Sequence, residues 1–306
     1  MKKIKLALKL LKVNIKPLFL FELVYHALLL IVFVPLRDVL FSLSLKAAGL
    51  KYLSQGKLLN YFLNPVTLLL LILLAFTVAF VVIVEVSAVL YCFHASYYDE
   101  KVTTRELFYV GFAKLKRFFA ERNFLLVIYV VLIVPFVNIG VHSGVISAIQ
   151  IPEFIMDAIR HNKLYSIAFY SAYILLILYA LKNLFALPFY TILDIPYKEA
   201  REKSQTLMKG KMIRTVWNIM LWNLLQYICI LLVTFAVLEI IILLSKAFGG
   251  ADALNTAYTF GETAAAVISA ISIFLGVPMG FARIQGMFFD YSIEKELPVP
   301  SFERVK

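Results

Sequence analysis

Ionisable residues stand inside long apolar runs at Glu22, His26, Glu85, Lys182, Glu239 and Arg283, with the amide of Asn223 among them; Glu239 lies near the outer end of its run and can reach the interface. A charge in hydrocarbon costs about 2.5–3.5 kcal/mol on insertion scales, so each one asks for a reason. Glu22 and His26 stand four residues apart and would share one helix face, where a carboxylate and an imidazole can exchange a proton. Lys182 and Arg283 offer cations to an anionic or zwitterionic headgroup. Asn218, Asn223 and Gln226 add amides to the same half of the fifth run. Three readings fit this set. The groups pair internally and lock helix packing, or they line a polar cavity that receives a lipid headgroup, or they carry protons or ions.

Soluble-enzyme chemistry finds little to build on. His26, His94, His142 and His161 are scattered, and no Cys/His spacing suits zinc. There is no Gly-rich phosphate loop and no G-x-S-x-G elbow. No catalytic residue, metal or cofactor is therefore expected. Cys92 and Cys229 fall inside apolar runs, where packing is expected and a disulfide is not.

The elements that must position these residues are membrane helices. Of the 306 residues 62% are hydrophobic and only 16% charged, against about 25% charged in soluble domains. The runs do not alternate, which excludes barrel strands. Six spans are expected, at about 17–36, 65–93, 124–148, 165–193, 216–245 and 263–289. The first is not expected to be a cleaved leader: it holds Glu22 and His26 and lacks a small-residue cleavage site. Pro135, Pro188 and Pro278 should bend spans three, four and six. The run from Gly276 to Gly280 makes the sixth the expected broken helix.

Lys and Arg set the orientation. The N-terminal segment and the 94–123 and 194–215 loops carry six each, and the C-terminal tail three. The loops at 37–64, 149–164 and 246–262 carry four, two and one. Both termini are therefore expected in the cytoplasm. The net charge of +11 reads as attraction to anionic membrane lipids; no soluble basic domain is present to bind nucleic acid.

The three basic segments begin at intervals of about 100 residues. In the first, Ile4, Leu8, Leu11 and Ile15 repeat at helical spacing, with Lys5, Lys9, Lys12 and Lys16 one residue on. Such a helix lies in the headgroup plane. The second repeats the pattern with Phe108, Phe112, Leu115 and Phe119 beside Lys114, Lys116 and Arg117, and opens on a capping box at Thr103–Glu106. The third holds the spacing at Ala200, Ser204 and Leu207 and should end near Gly210. The expected fold is all-α: one integral membrane domain over 1–306, with three hairpin units that each begin with a cytoplasmic interfacial helix. Short outer-loop helices are expected at 38–50 and 151–160, with Tyr52, Tyr61, Tyr165 and Tyr170 near the outer headgroups.

Three stretches carry a family resemblance: residues 35–66 (PLRDVLFSLSLKAAGLKYLSQGKLLNYFLNPV), 151–162 (IPEFIMDAIRHN) and 187–210 (LPFYTILDIPYKEAREKSQTLMKG). In content, order and spacing the chain resembles the membrane domain of bacterial glycerophosphoryl diester phosphodiesterases. In that family a soluble catalytic barrel usually follows. Residues 1–306 contain no His-Arg-Gly and no Glu-x-Asp motif, so no catalytic residue carries over. The resemblance implies a six-span module of the bacterial plasma membrane linked to phospholipid or glycerophosphate-polymer metabolism. The expected function is non-catalytic binding or presentation of an inner-leaflet lipid, to a separate enzyme or membrane partner. A lipid or small-molecule translocase and a ligand-free structural partner are the alternatives.

Overall fold

In lipid a backbone must satisfy its own polar groups, so continuous apolar sequence folds as helix. The computed structural model describes residues 2–52, 57–120, 124–133, 153–248, 253–297, 299 and 301–304, all of them helix or short connection. The helices are α1 (Lys2–Val13), α2 (Ile15–Leu28), α3 (Val34–Ala47), α4 (Leu58–Leu63), α5 (Pro65–Tyr97), α6 (Thr104–Ala120) and α7 (Phe124–Ile133). There follow α8 (Glu153–His161), α9 (Lys163–Lys182), α10 (Ala186–Ile192), α11 (Tyr197–Met208), α12 (Met212–Phe248) and α13 (Ala253–Glu294). Among the described residues four stretches are long and apolar enough to cross a bilayer: Ile15–Ala47, Pro65–Tyr97, Lys163–Ile192 and Met212–Leu243. Most of the expected third span, with Pro135, lies outside the described residues.

Several expectations are corrected. The first span does not stop near residue 36. A π-helical turn, Leu29–Phe33, joins α2 to α3, so helix runs from Ile15 to Ala47, roughly 50 Å at 1.5 Å per residue. The helix expected at 38–50 is the far end of that span. It closes at Gly49, whose φ of +69° lets the Leu50 N–H reach the Leu45 carbonyl at 2.9 Å. Tyr61, expected near the outer headgroups, packs inward: it is 2% exposed, and its hydroxyl meets Ser44 Oγ at 2.6 Å. The helix α13 runs unbroken through Pro278.

The break falls in the fourth span instead, at Asn183–Phe185. Pro188 cannot bond the Leu184 carbonyl, and its ring would clash there in a continuous helix. Beginning α10 at Ala186 puts Pro188 in the first turn, where no N–H is needed. The opened backbone is stitched from other helices. Ser204 Oγ of α11 accepts from the Phe185 N–H at 3.1 Å and donates to the Lys182 carbonyl at 3.0 Å. Tyr129 of α7 donates to the Asn183 carbonyl at 3.0 Å, and Gln205 Nε2 to Asn183 Oδ1 at 3.1 Å.

Burial concentrates where α5, α10 and α13 meet. Residues 82–96 of α5 are buried on every side, as are 186–191 and 280–289. Phe189–Phe288 (4.9 Å), Phe185–Tyr291 (5.8 Å) and the stacked Tyr97–Phe289 pair (4.0 Å) join the three helices. These helices end alike. Two residues beyond Tyr97, Ile192 and Glu294 stand Asp99, Asp194 and Glu296, all with φ between 53° and 61°. The Glu100 N–H bonds the Ala95 carbonyl and the Leu297 N–H the Ser292 carbonyl, both at 2.9 Å, the 6→1 closure of a helix end. A basic helix packs against each: α1 on α13 and α5, α6 on α5, and α11 on α10.

Candidate functional site

The basic segments meet the ends of the central helices through ion pairs, from α1, from α6, and from Lys211 and Arg214 where α11 turns into α12. Lys9 pairs with Asp99 at 2.7 Å, Lys114 and Arg117 both with Asp194, and Lys211 and Arg214 with Glu294 at 2.6 and 2.9 Å. The middle group surrounds a cavity of about 560 Å³. Its walls are α6 (Val110, Lys114, Arg117), the stretch Thr191–Asp194 at the end of α10, and Tyr91 and His94 of α5. Tail residues Ser301, Glu303 and Arg304 close it. Phe302 pins the tail, its ring 5.2 Å from Tyr91 and 5.6 Å from His94.

Helical spacing explains why Lys114 and Arg117 point inward. Leu107, Val110, Gly111 and Phe118 are the buried stripe of α6, seated on α5 so closely that Gly111 has room for no side chain. Lys114 continues that stripe and Arg117 flanks it, and their side chains are only 14% and 22% exposed. Phe112 and Phe119, on the opposite face, are about half exposed, as a lipid-facing surface requires. The Thr103–Glu106 capping box forms as read, with the Thr103 N–H 2.6 Å from Glu106 Oε2.

Three cations and two carboxylates face the cavity, a net positive lining. Burial pushes the Asp194 carboxyl up, but the hydrogen bond and charge of Lys114 and the charge of Arg117 outweigh it and leave it below its ordinary value. The Arg117 guanidinium also lies 5.5 Å from the Tyr190 ring centroid. With Thr191 and Ser301 adding hydroxyls, the lining suits a phosphate-bearing anion that competes with Asp194 for its cations.

The residues read from sequence divide into groups. Lys5, Lys12, Lys16 and Lys116 are exposed. Lys114 and Arg117, expected on the membrane surface, line the cavity. Glu22, His26 and Glu85 come together, with Glu22 Oε2 3.4 Å from His26 Nδ1. Arg283 and Asn223 meet elsewhere: Arg283 Nη1 donates to Asn223 Oδ1 at 3.1 Å and to the Ile219 carbonyl at 3.2 Å. Lys182 is exposed at the end of α9. Sequence reading missed Asp194, Ser301 and Arg304. The signal for Asp194 was its place four residues before Lys198, at the mouth of a basic segment, like Asp99 before Lys101.

A family model described as the membrane domain of glycerophosphoryl diester phosphodiesterase matches residues 4–298. The chain belongs to this family. No curated protein and no solved structure matches it. In this phosphodiesterase membrane domain the match takes in both the buried charges and α6, Asp194 and the ion-paired helix ends. Membership and the apolar helices together make the chain a membrane protein.

Proposed function

We propose that this phosphodiesterase membrane domain is a non-catalytic module that binds the phosphate of an anionic phospholipid at its basic end and presents it to a separate enzyme or membrane partner. The observation that carries the reading is the cavity where Lys114, Arg117 and Arg304 outnumber Asp194 and Glu303. The exposed phenylalanines of α6 lie on the helix that supplies two of those cations, which supports an α6 that lies against lipid on one face and lines the cavity with the other. The cavity matches a headgroup in size, since small-molecule sites run about 300–1,000 Å³.

The same reading includes the topology. Six spans form three hairpin units, each closed at the cytoplasmic side by its own ion pair, with both termini in the cytoplasm of a bacterium. The like helix ends at Asp99, Asp194 and Glu296 support it. So does the pairing of each unit's basic segment with the end of its own return helix.

Native mass spectrometry of lipid retention tests the site. Lys114→Ala should lose co-purified anionic lipid, and Asp194→Asn, which removes a competing carboxylate, should retain more. Equal loss in both variants, or none in either, would contradict it. The broken span at Asn183–Phe185 favours a translocase as the second reading; lipid flux in proteoliposomes above that of empty vesicles would select it.

A further inference from the structure

A second locus lies apart from this cavity. Glu22 and His26 of α2 and Glu85 of α5 each bring one potential ligand atom within 4.8 Å of the other two. Glu22 is 1% and Glu85 2% exposed. Neither oxygen of Glu22, nor Oε1 of Glu85, has a hydrogen-bond partner among the described residues. Buried polar groups are rarely left this way, because each stranded group costs roughly 1–3 kcal/mol and charged ones more. Two carboxylates within 4.8 Å of each other inside hydrocarbon must be neutralised, by a bound cation or by protons. Lys182 is exposed at the end of α9, and Arg283 bonds Asn223 and Ile219 of α12, so His26 is the basic group that stands beside the two carboxylates.

We propose that Glu22, His26 and Glu85 form a binding site for a divalent transition-metal ion of the zinc class. Two carboxylates and a neutral imidazole neutralise a dication, so the loaded site carries no net charge into the membrane. His26 Nδ1 lies 2.9 Å from the Glu22 carbonyl. A carbonyl only accepts, so that bond holds the proton on Nδ1 and the lone pair on Nε2, the arrangement a ligating histidine needs. An ion centred among atoms no more than 4.8 Å apart sits at most about 2.8 Å from each, so closing by under about 1 Å reaches the bond lengths of zinc to nitrogen and oxygen. Three protein ligands leave a position open for water or a phosphate oxygen. One imidazole and two carboxylates favour zinc or manganese over the softer metals that thiolates select.

The test uses the full chain in phosphatidylcholine nanodiscs, stripped with chelator and given Zn²⁺ alone. The expected result is one zinc per chain by elemental analysis, with Glu85→Gln and His26→Gln each weakening binding at least tenfold. Glu239→Gln, exposed on α12, should leave it unchanged. No zinc on the wild-type chain, or equal binding by Glu85→Gln, would overturn the proposal and assign the cluster to a shared proton. Should the variants fail to fold, Co²⁺ added to the wild-type chain decides. Visible d–d bands without thiolate charge transfer support this ligand set; no bands, or a thiolate band from Cys92 or Cys229, would overturn it.

Discussion

Ser204→Ala isolates the cost of interrupting a span. The substitution removes one oxygen from a fully buried residue and adds no bulk. It strands the Phe185 N–H, which is buried and bonded to Ser204 Oγ at 3.1 Å, and deprives the half-buried Lys182 carbonyl of its 3.0 Å donor. A buried N–H left without a partner costs about 1–3 kcal/mol, and the carbonyl's lost bond about 0.5–1.5 kcal/mol, so the sum is roughly 1.5–4.5 kcal/mol. Equilibrium unfolding of detergent-solubilised protein by rising SDS mole fraction reads it directly. Thr206→Ala is the control on the same helix: its exposed hydroxyl bonds only the Glu202 carbonyl one turn back, and it should shift stability by less than about 0.5 kcal/mol. If Ser204→Ala behaves like that control, the interruption satisfies its own backbone and the stitching argument is wrong.

Gly111→Ala should destabilise by about 1–3 kcal/mol in the same assay, because its Cβ would lie 2.8 Å from the Val84 carbonyl oxygen and 2.9 Å from Val84 Cγ1. Gly286→Ala, whose Cβ would meet only Leu6 at 3.8 Å, should be neutral or stabilising. Acid should weaken the fold through Asp194. Its folded pKa is held below the ordinary 3.8, so its stabilisation is complete above that value and is lost as pH falls through the folded pKa. Melting temperature followed down through the carboxylate range should fall less steeply in Asp194→Asn, though not flatten. Glu294, held low by its hydrogen bonds to Lys211 and Arg214, titrates in the same window.

The sequence was most legible where one physical rule dominated. Continuous apolar runs had to be helix, and the Thr103–Glu106 capping box marked the start of α6 to the residue. Ala200, Ser204 and Leu207 held a helical stripe that the structure buries. Legibility failed where two faces competed. On α6 the phenylalanine stripe reads as the informative face, yet Phe112 and Phe119 are half exposed, while the shorter stripe through Leu107, Val110 and Gly111 packs and carries Lys114 inward. Proline was an imperfect marker of breaks. Pro188 displaced the break to the three residues before it, and Pro278 left α13 continuous. The buried charges were found singly, but their grouping depends on which helices touch. Spacing along the chain placed Glu22 beside His26; only packing of α2 and α3 on α5 added Glu85.

The claim that matters most is that a lipid phosphate occupies the cavity beside Lys114 and Arg117. An anionic phospholipid bearing a photoreactive headgroup, crosslinked in nanodiscs and mapped by peptide mass spectrometry, tests it. Crosslinks should fall on Thr191–Asp194 and on Ser301–Arg304, and Lys114→Ala should reduce them several-fold. Crosslinks confined to the exposed lysines of α1, or labelling of the cavity that Lys114→Ala leaves unchanged, would contradict it.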